Sequence, residues 1–409
     1  MWRRICFLVL PLLYVGGICA QNHHTVSGTV ISFSSGEPLI CATVADVRSG
    51  KGTVTYANGR FSLTLPADTV RLRVSYVGYQ PYDTLFYLGK SHFMKVSLKA
   101  GIQLKTVTVN AERVASAKSS QISAIEIPME QIKAVPVLFG ETDILKTLQL
   151  LPGVQNGTEG MNGVYVRGGG PDENLFLLDG VSLYNVNHLG GFFSAFNSSA
   201  VKNVTLYKGS FPARFGGRLS SVLDIATNNG NDKEFHGDIS IGAVAAKLSV
   251  EGPIIKEKTT FCLSYRRTYA DLLIKPFLSL GSALSGERVS AGYYFYDLNA
   301  KITHNFNEKS RLFASYYMGD DVVYLKVKTG SSLIDIYENE NMWMKMRYNW
   351  GNIVGSLRWN YELTPKLFMN ITGAYTRYRN NISMGAEEHD WSNEWDSYYS
   401  IDMSYKSGI

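Results

Sequence analysis

Between Tyr165 and Asn185 the chain reads YVRGGGPDENLFLLDGVSLYN, which sets Arg167, Gly168, Gly169 and Gly170 beside the acidic pair Asp172 and Glu173. A glycine-rich loop can cradle phosphate on its backbone N–H groups where it opens into a helix N-terminus. Here Pro171, the acidic pair and an apolar strand follow instead. The other phosphate candidate, Gly89-Lys90-Ser91, has Thr84 where a P-loop needs its first glycine, and no Gly-x-Ser-x-Gly nucleophile elbow occurs. Asp172, Glu173 and Asp179 could act as paired carboxylates, but no base or metal ligand accompanies them. None of the seven histidines has a glutamate three residues on, the pair a zinc carboxypeptidase requires. No catalytic residue, metal ligand or cofactor is therefore expected. The glycines read as turn formers. Gly168 to Gly170 permit positive φ and close backbone approach, Asp179-Gly180 makes the turn after the apolar strand, and Gly216-Gly217 in FPARFGGRLSSVLDI supplies another.

The elements that position this stretch belong to a chain of several domains, since 409 residues exceed what one core organises. Charged residues make up 18% and aromatic residues 12%, with 25 tyrosines and 38 glycines, a balance that leans towards β structure. The net charge of +5, two units of it on Arg3 and Arg4, argues against nucleic acid as a partner. Residues 1–20, MWRRICFLVLPLLYVGGICA, have the basic start, short apolar run and small-residue end of a secretory signal peptide. Cys41 and Cys262 remain after its removal, in different domains, so no disulfide framework is expected.

Residues 21–102 read as a small β-sandwich of short strands. Leu72, Val74 and Tyr76 alternate with Arg71, Arg73 and Ser75, and Asn58-Gly59 between VTYA and RFSLTL predicts a tight hairpin. Residues 103–124 hold a short extended Thr/Val segment, LKTVTVNAE, and a polar Ser/Ala-rich linker. An exposed extended segment of this kind can add to a partner's sheet edge; the last sandwich strand running into a loop fits the residues equally. Residues 125–230 alternate helix and strand patterns, an α+β unit. Its helix, GETDILKTLQLLPG, lines up Ile144, Leu145, Leu148 and Leu151 behind a cap at Thr142 or Asp143. From 231 to 409 the runs YFYDLNAKITH, MKMRYNW, IVGSLRWNY and YSIDMSY alternate with period two, and their apolar faces are edged by Tyr and Trp. Short turns such as NFNEKS and ELTPK alternate with longer excursions at Thr268 to Gly292 and Asp320 to Asn341. That combination predicts antiparallel transmembrane β-barrel strands, so the chain is expected to be multidomain and mainly β.

SGTV, GEPLICATV, ANGRFSLTLP and RVSYVGYQP together resemble the carboxypeptidase regulatory-like domain. LKTLQLLPGV, VYVRGGGPDENLFLLDGVSLYN and VTLYKGSFPARFGGRLSSVLDI resemble, in order and spacing, the plug domain of a TonB-dependent outer-membrane receptor of the Bacteroidetes type. The resemblance implies uptake of a scarce nutrient from outside: a ferric chelate, a cofactor, an oligosaccharide or a peptide. The TonB protein, with its inner-membrane energising complex, would grip Thr106, Val107, Thr108 and Val109 and pull the plug, while outer-membrane lipid surrounds the strands and a surface lipoprotein is a further partner. Arg167, Arg214 and Arg218 are then candidates, with Asp172, Glu173 and Asp179, for breakable polar contacts between the plug and the inner barrel wall. The sandwich and plug would lie in the periplasm or inside the barrel. The family's barrels have about 22 strands, and the roughly 175 residues after Asp232 suffice for about seven or eight, so the chain is expected to be a fragment of the full transporter. An alternative class is a cell-surface binding or adhesion module built from the sandwich and plug without transport.

Overall fold

The computed structural model describes residues 23–55, 59–76, 78–100, 124–135, 140–157, 163–285, 289–328, 342–364, 367–390 and 397–408. The signal-peptide stretch 1–20, Asn58 of the expected hairpin and the segment Thr106 to Val109 lie outside the described residues.

Seven strands build the first unit: β1 (His23–Ser32), β2 (Thr43–Asp46), β3 (Gly52–Val54), β4 (Arg60–Pro66), β5 (Thr69–Ser75), β6 (Tyr82–Tyr87) and β7 (His92–Leu98). They form two sheets, ordered β4-β1-β7 and β3-β2-β5-β6. Val26, Val30, Leu63, Leu65, Leu72, Val74, Val96 and Leu98 close the core between them. The period-two pattern of β5 is therefore that of a half-buried strand. The expected hairpin across Asn58-Gly59 does not form, because β3 pairs with β2 and β4 pairs with β1, in different sheets. Gly59 instead makes a corner between the sheets. Its φ is 70°, its carbonyl accepts from Val30 N at 2.7 Å, and a Cβ there would sit 2.5 Å from the Val30 carbonyl oxygen.

The α+β unit comprises β8 (Ala124–Pro128), helices Met129–Ala134 and Ile144–Gln149, β9 (Val154–Asn156), β10 (Val164–Val166), β11 (Asn174–Leu178), β12 (Val181–Ser182), β13 (Asn187–His188), β14 (Phe193–Ser194), β15 (Val201–Lys208) and β16 (Ser221–Thr227). Its main sheet runs β12-β11-β16-β15-β8, with β11 and β16 parallel. Asp143 caps the second helix, accepting from Lys146 N at 3.1 Å, and Ile144, Leu145 and Leu148 are buried against Val204, Leu206, Leu223 and Ile225.

The remaining strands are β17 (His236–Ile241), β18 (Ala245–Ile255), β19 (Thr259–Thr268), β20 (Val289–Asn307), β21 (Ser310–Lys328), β22 (Met342–Thr364), β23 (Leu367–Asp390) and β24 (Ser397–Gly408). They form one eight-stranded sheet in sequential order, a wall whose end strands β17 and β24 are not paired with each other among the described residues. A helix, Ala270–Ser285, joins β19 to β20. No helix among the described residues is long and apolar enough to cross a membrane, which says nothing of strands.

Two expectations change here. Within Thr268 to Gly292 lie a helix, Ala270–Ser285, and the start of β20 at Val289, and in Asp320 to Asn341 β21 runs on to Lys328, residues 329–341 lying outside the described residues. MKMRYNW and IVGSLRWNY are also not two strands but the halves of β22, and their apolar residues lie on opposite faces. Asn352 and Arg358 reach the plug, so even-numbered residues of β22 face inward, Met344, Met346, Tyr348 and Trp350 among them. Ile353, Leu357, Trp359 and Tyr361 face outward. At 23 residues β22 rises roughly 75 Å, against the roughly 25 Å apolar band typical of membrane β-barrels.

Candidate functional site: a buried polar seam between plug and wall

His188, at the end of β13, carries the densest part of the seam. Its Nε2 lies 2.9 Å from Asp297 Oδ1 and its Nδ1 2.7 Å from Asp321 Oδ2, with the ring stacked on Phe295 at 4.1 Å between centroids. Carboxylates only accept, so both ring nitrogens donate and the ring is an imidazolium. Burial by itself would lower the His188 pKa. The charge and hydrogen bond of Asp297, then the hydrogen bond and charge of Asp321, outweigh it and raise the value from 6.5 to about 9.

Neighbouring groups complete the carboxylates. Arg266 donates through Nε to Asp297 Oδ2 at 2.8 Å and through a terminal nitrogen to the plug carbonyl of Ser194 at 2.7 Å. Tyr317 donates to Asp297 at 2.8 Å, and Asp321 accepts from the Leu189 backbone N–H at 3.1 Å and from the Tyr293 hydroxyl. A second plug acid, Glu141, sits 2.7 Å from Lys247 of β18 and 3.8 Å from Arg266. Nearly every member of this cluster is buried, so removing one charge strands its partner.

The Asp179-Gly180 turn forms the other pole. Leu178 pairs with Val181 across it, and both turn residues have positive φ, 50° and 80°, as a type I′ hairpin requires. Asp179 Oδ1 lies 2.9 Å from Lys301 Nζ on the wall, its carboxylate accepts from the Thr227 backbone and hydroxyl, and its own carbonyl accepts from Arg358. Burial would raise the Asp179 pKa, but the Lys301 charge and the Thr227 and Lys301 hydrogen bonds hold it below its ordinary 3.8. A Cβ on Gly180 would approach the Arg358 guanidinium to 2.5 Å, so the wall arginine uses the space glycine leaves. Between the poles, Asn185 and Asn352 exchange backbone-to-amide hydrogen bonds at 3.2 and 2.6 Å, and Thr376 donates to the Ser182 carbonyl at 2.9 Å.

The other expected residues sit within the plug. Arg167 (φ 51°) and Gly168 (φ 83°) turn the loop, Gly170 N donates to Glu173 at 3.0 Å, and the Glu173 carbonyl accepts from Leu219 and Ser220 N. Gly169 lies so close to Ser220 that a Cβ would meet its hydroxyl at 2.4 Å, which ties the two glycine loops together. Arg214 packs over Phe215 and bonds the Tyr207 hydroxyl at 3.4 Å, and Arg218, after Gly216-Gly217, bonds the Gly217 carbonyl at 3.0 Å. Asp172 and Arg218 border a cavity of about 340 Å³ with Phe176, Tyr184 and Asn185. Apart from Asp179, the ion pairs that cross to the wall use residues not anticipated from sequence. Their signal was the charged and amide residues Asp297, Asn299 and Lys301, alternating with apolar ones inside a barrel strand.

Residues 26–114 match the family model of the CarboxypepD_reg-like domain, and residues 116–221 that of the TonB-dependent Receptor Plug Domain. The Vitamin B12 transporter BtuB of Vibrio vulnificus (strain YJ016) is 28% identical over 146 residues, which is 34% of this chain and 22% of the relative. Among solved structures, the siderophore receptor PirA from Acinetobacter baumannii is 14% identical over 74% of this chain and 50% of its own, with a TM-score of 0.38. FpvA of P. aeruginosa, bound to heterologous pyoverdines, is 14% identical over 76% of this chain and 47% of its own, also with a TM-score of 0.38. The chain thus spans about half the length of these structures and under a quarter of the curated relative. The chain thus carries a CarboxypepD_reg-like domain and, after it, the plug domain of TonB-dependent receptors, followed by sequential antiparallel wall strands.

Proposed function

We propose that the chain acts in an outer-membrane uptake receptor in which TonB, energised at the inner membrane, draws the plug away from the wall to admit a scarce nutrient. The observation that carries this reading is the chemistry of the seam. Beside the apolar contacts of Phe295, Tyr317 and Val354, plug and wall meet through ion pairs and amide contacts whose geometry is specific and which water can replace when they part. The plug carries the acids Glu141 and Asp179 and the cation His188; the wall answers with Lys247, Lys301, Asp297 and Asp321. The receptor performs no covalent chemistry. Ligand arrives from the outer side and meets the plug loops, and cobalamin-like cofactors, ferric chelates, oligosaccharides and peptides are the candidate classes.

Deleting Thr106 to Val109 tests the energy route. Cells carrying the deletion should bind labelled cobalamin or ferric siderophore, whichever the intact receptor accumulates, as well as the parent does and should take up none. Uptake at the parental rate would assign the TonB contact elsewhere.

A further inference from the structure

The helix Ala270–Ser285 is amphipathic in an unusual sense, because its apolar side turns away from its own sheet. Leu273, Phe277, Leu280 and Leu284 follow one another at spacings of four, three and four residues, which puts them on a single stripe, and they are 47, 74, 61 and 81% exposed. The opposite side meets the wall. Asp271 pairs with Arg267 at 3.1 Å, Ser282 accepts from Val289 N at 3.3 Å, and Lys275 and Ser279 line a cavity of about 370 Å³ with Ser290 and Trp343.

Register places this helix relative to the sheet. Asp297, Lys301, Tyr317, Asp321 and Asn352 reach the plug, so the alternate residues face outward. The outward rows Ile302, Ala314 and Leu357, then Ala300, Tyr316 and Gly355, then Leu298, Met318 and Ile353 are apolar, and Phe261, Leu263 and Tyr265 extend them onto β19. The next outward rows change character: Tyr296 with Asp320, Tyr294 with Val322 and Asn349, Tyr324 with Arg347, and Lys326 with Lys345. Arg267, which lies over the Tyr294 ring at 4.6 Å, and Trp343, whose ring lies under Lys326 at 4.6 Å, are outward members of this zone. Both border the polar side of the helix. The helix therefore lies against the outward face, just past the apolar band, at the end of the wall that bears the long connections.

We propose that the helix is an interfacial anchor, with its Leu273-Phe277-Leu280-Leu284 stripe in the acyl chains of the outer leaflet and Arg267, Lys326, Lys345 and Arg347 beside it holding lipid phosphates. This rests on the reading of the wall as membrane-spanning. Two observations select lipid as the occupant. The stripe continues the apolar band sideways from the wall, and the rows beside it carry Arg267, Lys326, Lys345 and Arg347 with the rings of Tyr294, Tyr296, Tyr324 and Trp343 at the level where head groups lie, the arrangement of an interfacial belt. The helix itself has one lysine, so the wall supplies the basic side that free interfacial helices carry on themselves.

The test uses the full chain in proteoliposomes, with Cys6→Ser, Cys19→Ser, Cys41→Ser and Cys262→Ala. A single environment-sensitive fluorophore is placed at Leu280→Cys or, as the reference, at Leu263→Cys in the band. Lipids brominated on their acyl chains should quench both labels, and iodide in the buffer should quench neither. If the Leu263 label is quenched by bromolipid while the Leu280 label responds to iodide, the anchor is overturned and the spanning wall stands. A Leu280 label shielded from both quenchers means that protein, a second copy or another chain, covers the stripe, which also overturns it. If bromolipid leaves the Leu263 label bright, the spanning reading itself fails and the anchor with it.

Discussion

Replacing His188 with alanine is expected to weaken the plug–wall contact by about 3–5 kcal/mol at pH 6, because it leaves Asp297 and Asp321 buried with their shared cation gone. Arg266 continues to answer Asp297, so the loss falls hardest on Asp321 and on the Leu189 N–H it accepts from. Amide hydrogen exchange at Leu189, in membranes, reads this directly and should accelerate by ~100-fold or more. The parent receptor should show the same loosening with pH alone. The folded pKa of His188, about 9, stands above its ordinary 6.5, so its contribution is fully present below pH 6.5 and is lost as pH rises through 9. His188→Ala should abolish that alkaline limb. If Leu189 exchanges at the parental rate in the variant, or if the alkaline limb survives, the imidazolium does not hold the plug.

Asp179→Ala should cost a comparable amount, about 3–5 kcal/mol, since it strands the Lys301 ammonium among the Thr227 oxygens and removes the acceptors of Thr227. Asp179→Asn separates charge from turn geometry, because asparagine tolerates the positive φ at this position. It should recover part of the loss, and a double variant with Lys301→Met should be less destabilised than Asp179→Ala alone. The pH window is opposite to that of His188. The Asp179 pKa is depressed below 3.8, so its contribution is present above pH 3.8 and disappears as pH falls through the lowered value. Urea titration of plug release in proteoliposomes measures both limbs, and a double variant as unstable as Asp179→Ala would show that the Lys301 pairing is not what Asp179 supplies.

Much of this architecture is legible in the residues, and the failures have physical causes. The helix Ile144–Gln149 was readable with its cap because capping and helical spacing are local. So was the Asp179-Gly180 turn, which needs only two residues able to hold positive φ. The hairpin at Asn58-Gly59 was misread because the same local chemistry serves a sheet-to-sheet corner, and only long-range pairing distinguishes the two. The facing of β22 is not legible in the residues, because an alternating run does not state which side is wet. On β22 Lys345, Arg347 and Asn349 turn outward and their apolar neighbours turn in. The seam escaped for a related reason. Asp297, Lys301 and Asp321 looked like the polar half of an alternation, and nothing nearby in sequence pairs them with His188 and Asp179, more than a hundred residues away.

The reversal of faces within β22 also constrains how the wall is assembled. Lys345 and Arg347 face outward on the half of the strand that ends beyond the apolar band, as do Arg377 and Arg379 on β23, where Arg379 Nε bonds Asp320 at 3.1 Å. If each hairpin crossed hydrocarbon singly with these side chains exposed, every cation would meet a barrier of about 2–4 kcal/mol at mid-depth. Strands delivered together, with their outer ends passing through a sheltered aqueous interior, avoid that barrier. On the proposed membrane-spanning reading, the alternation would favour strands that reach the far side as a group.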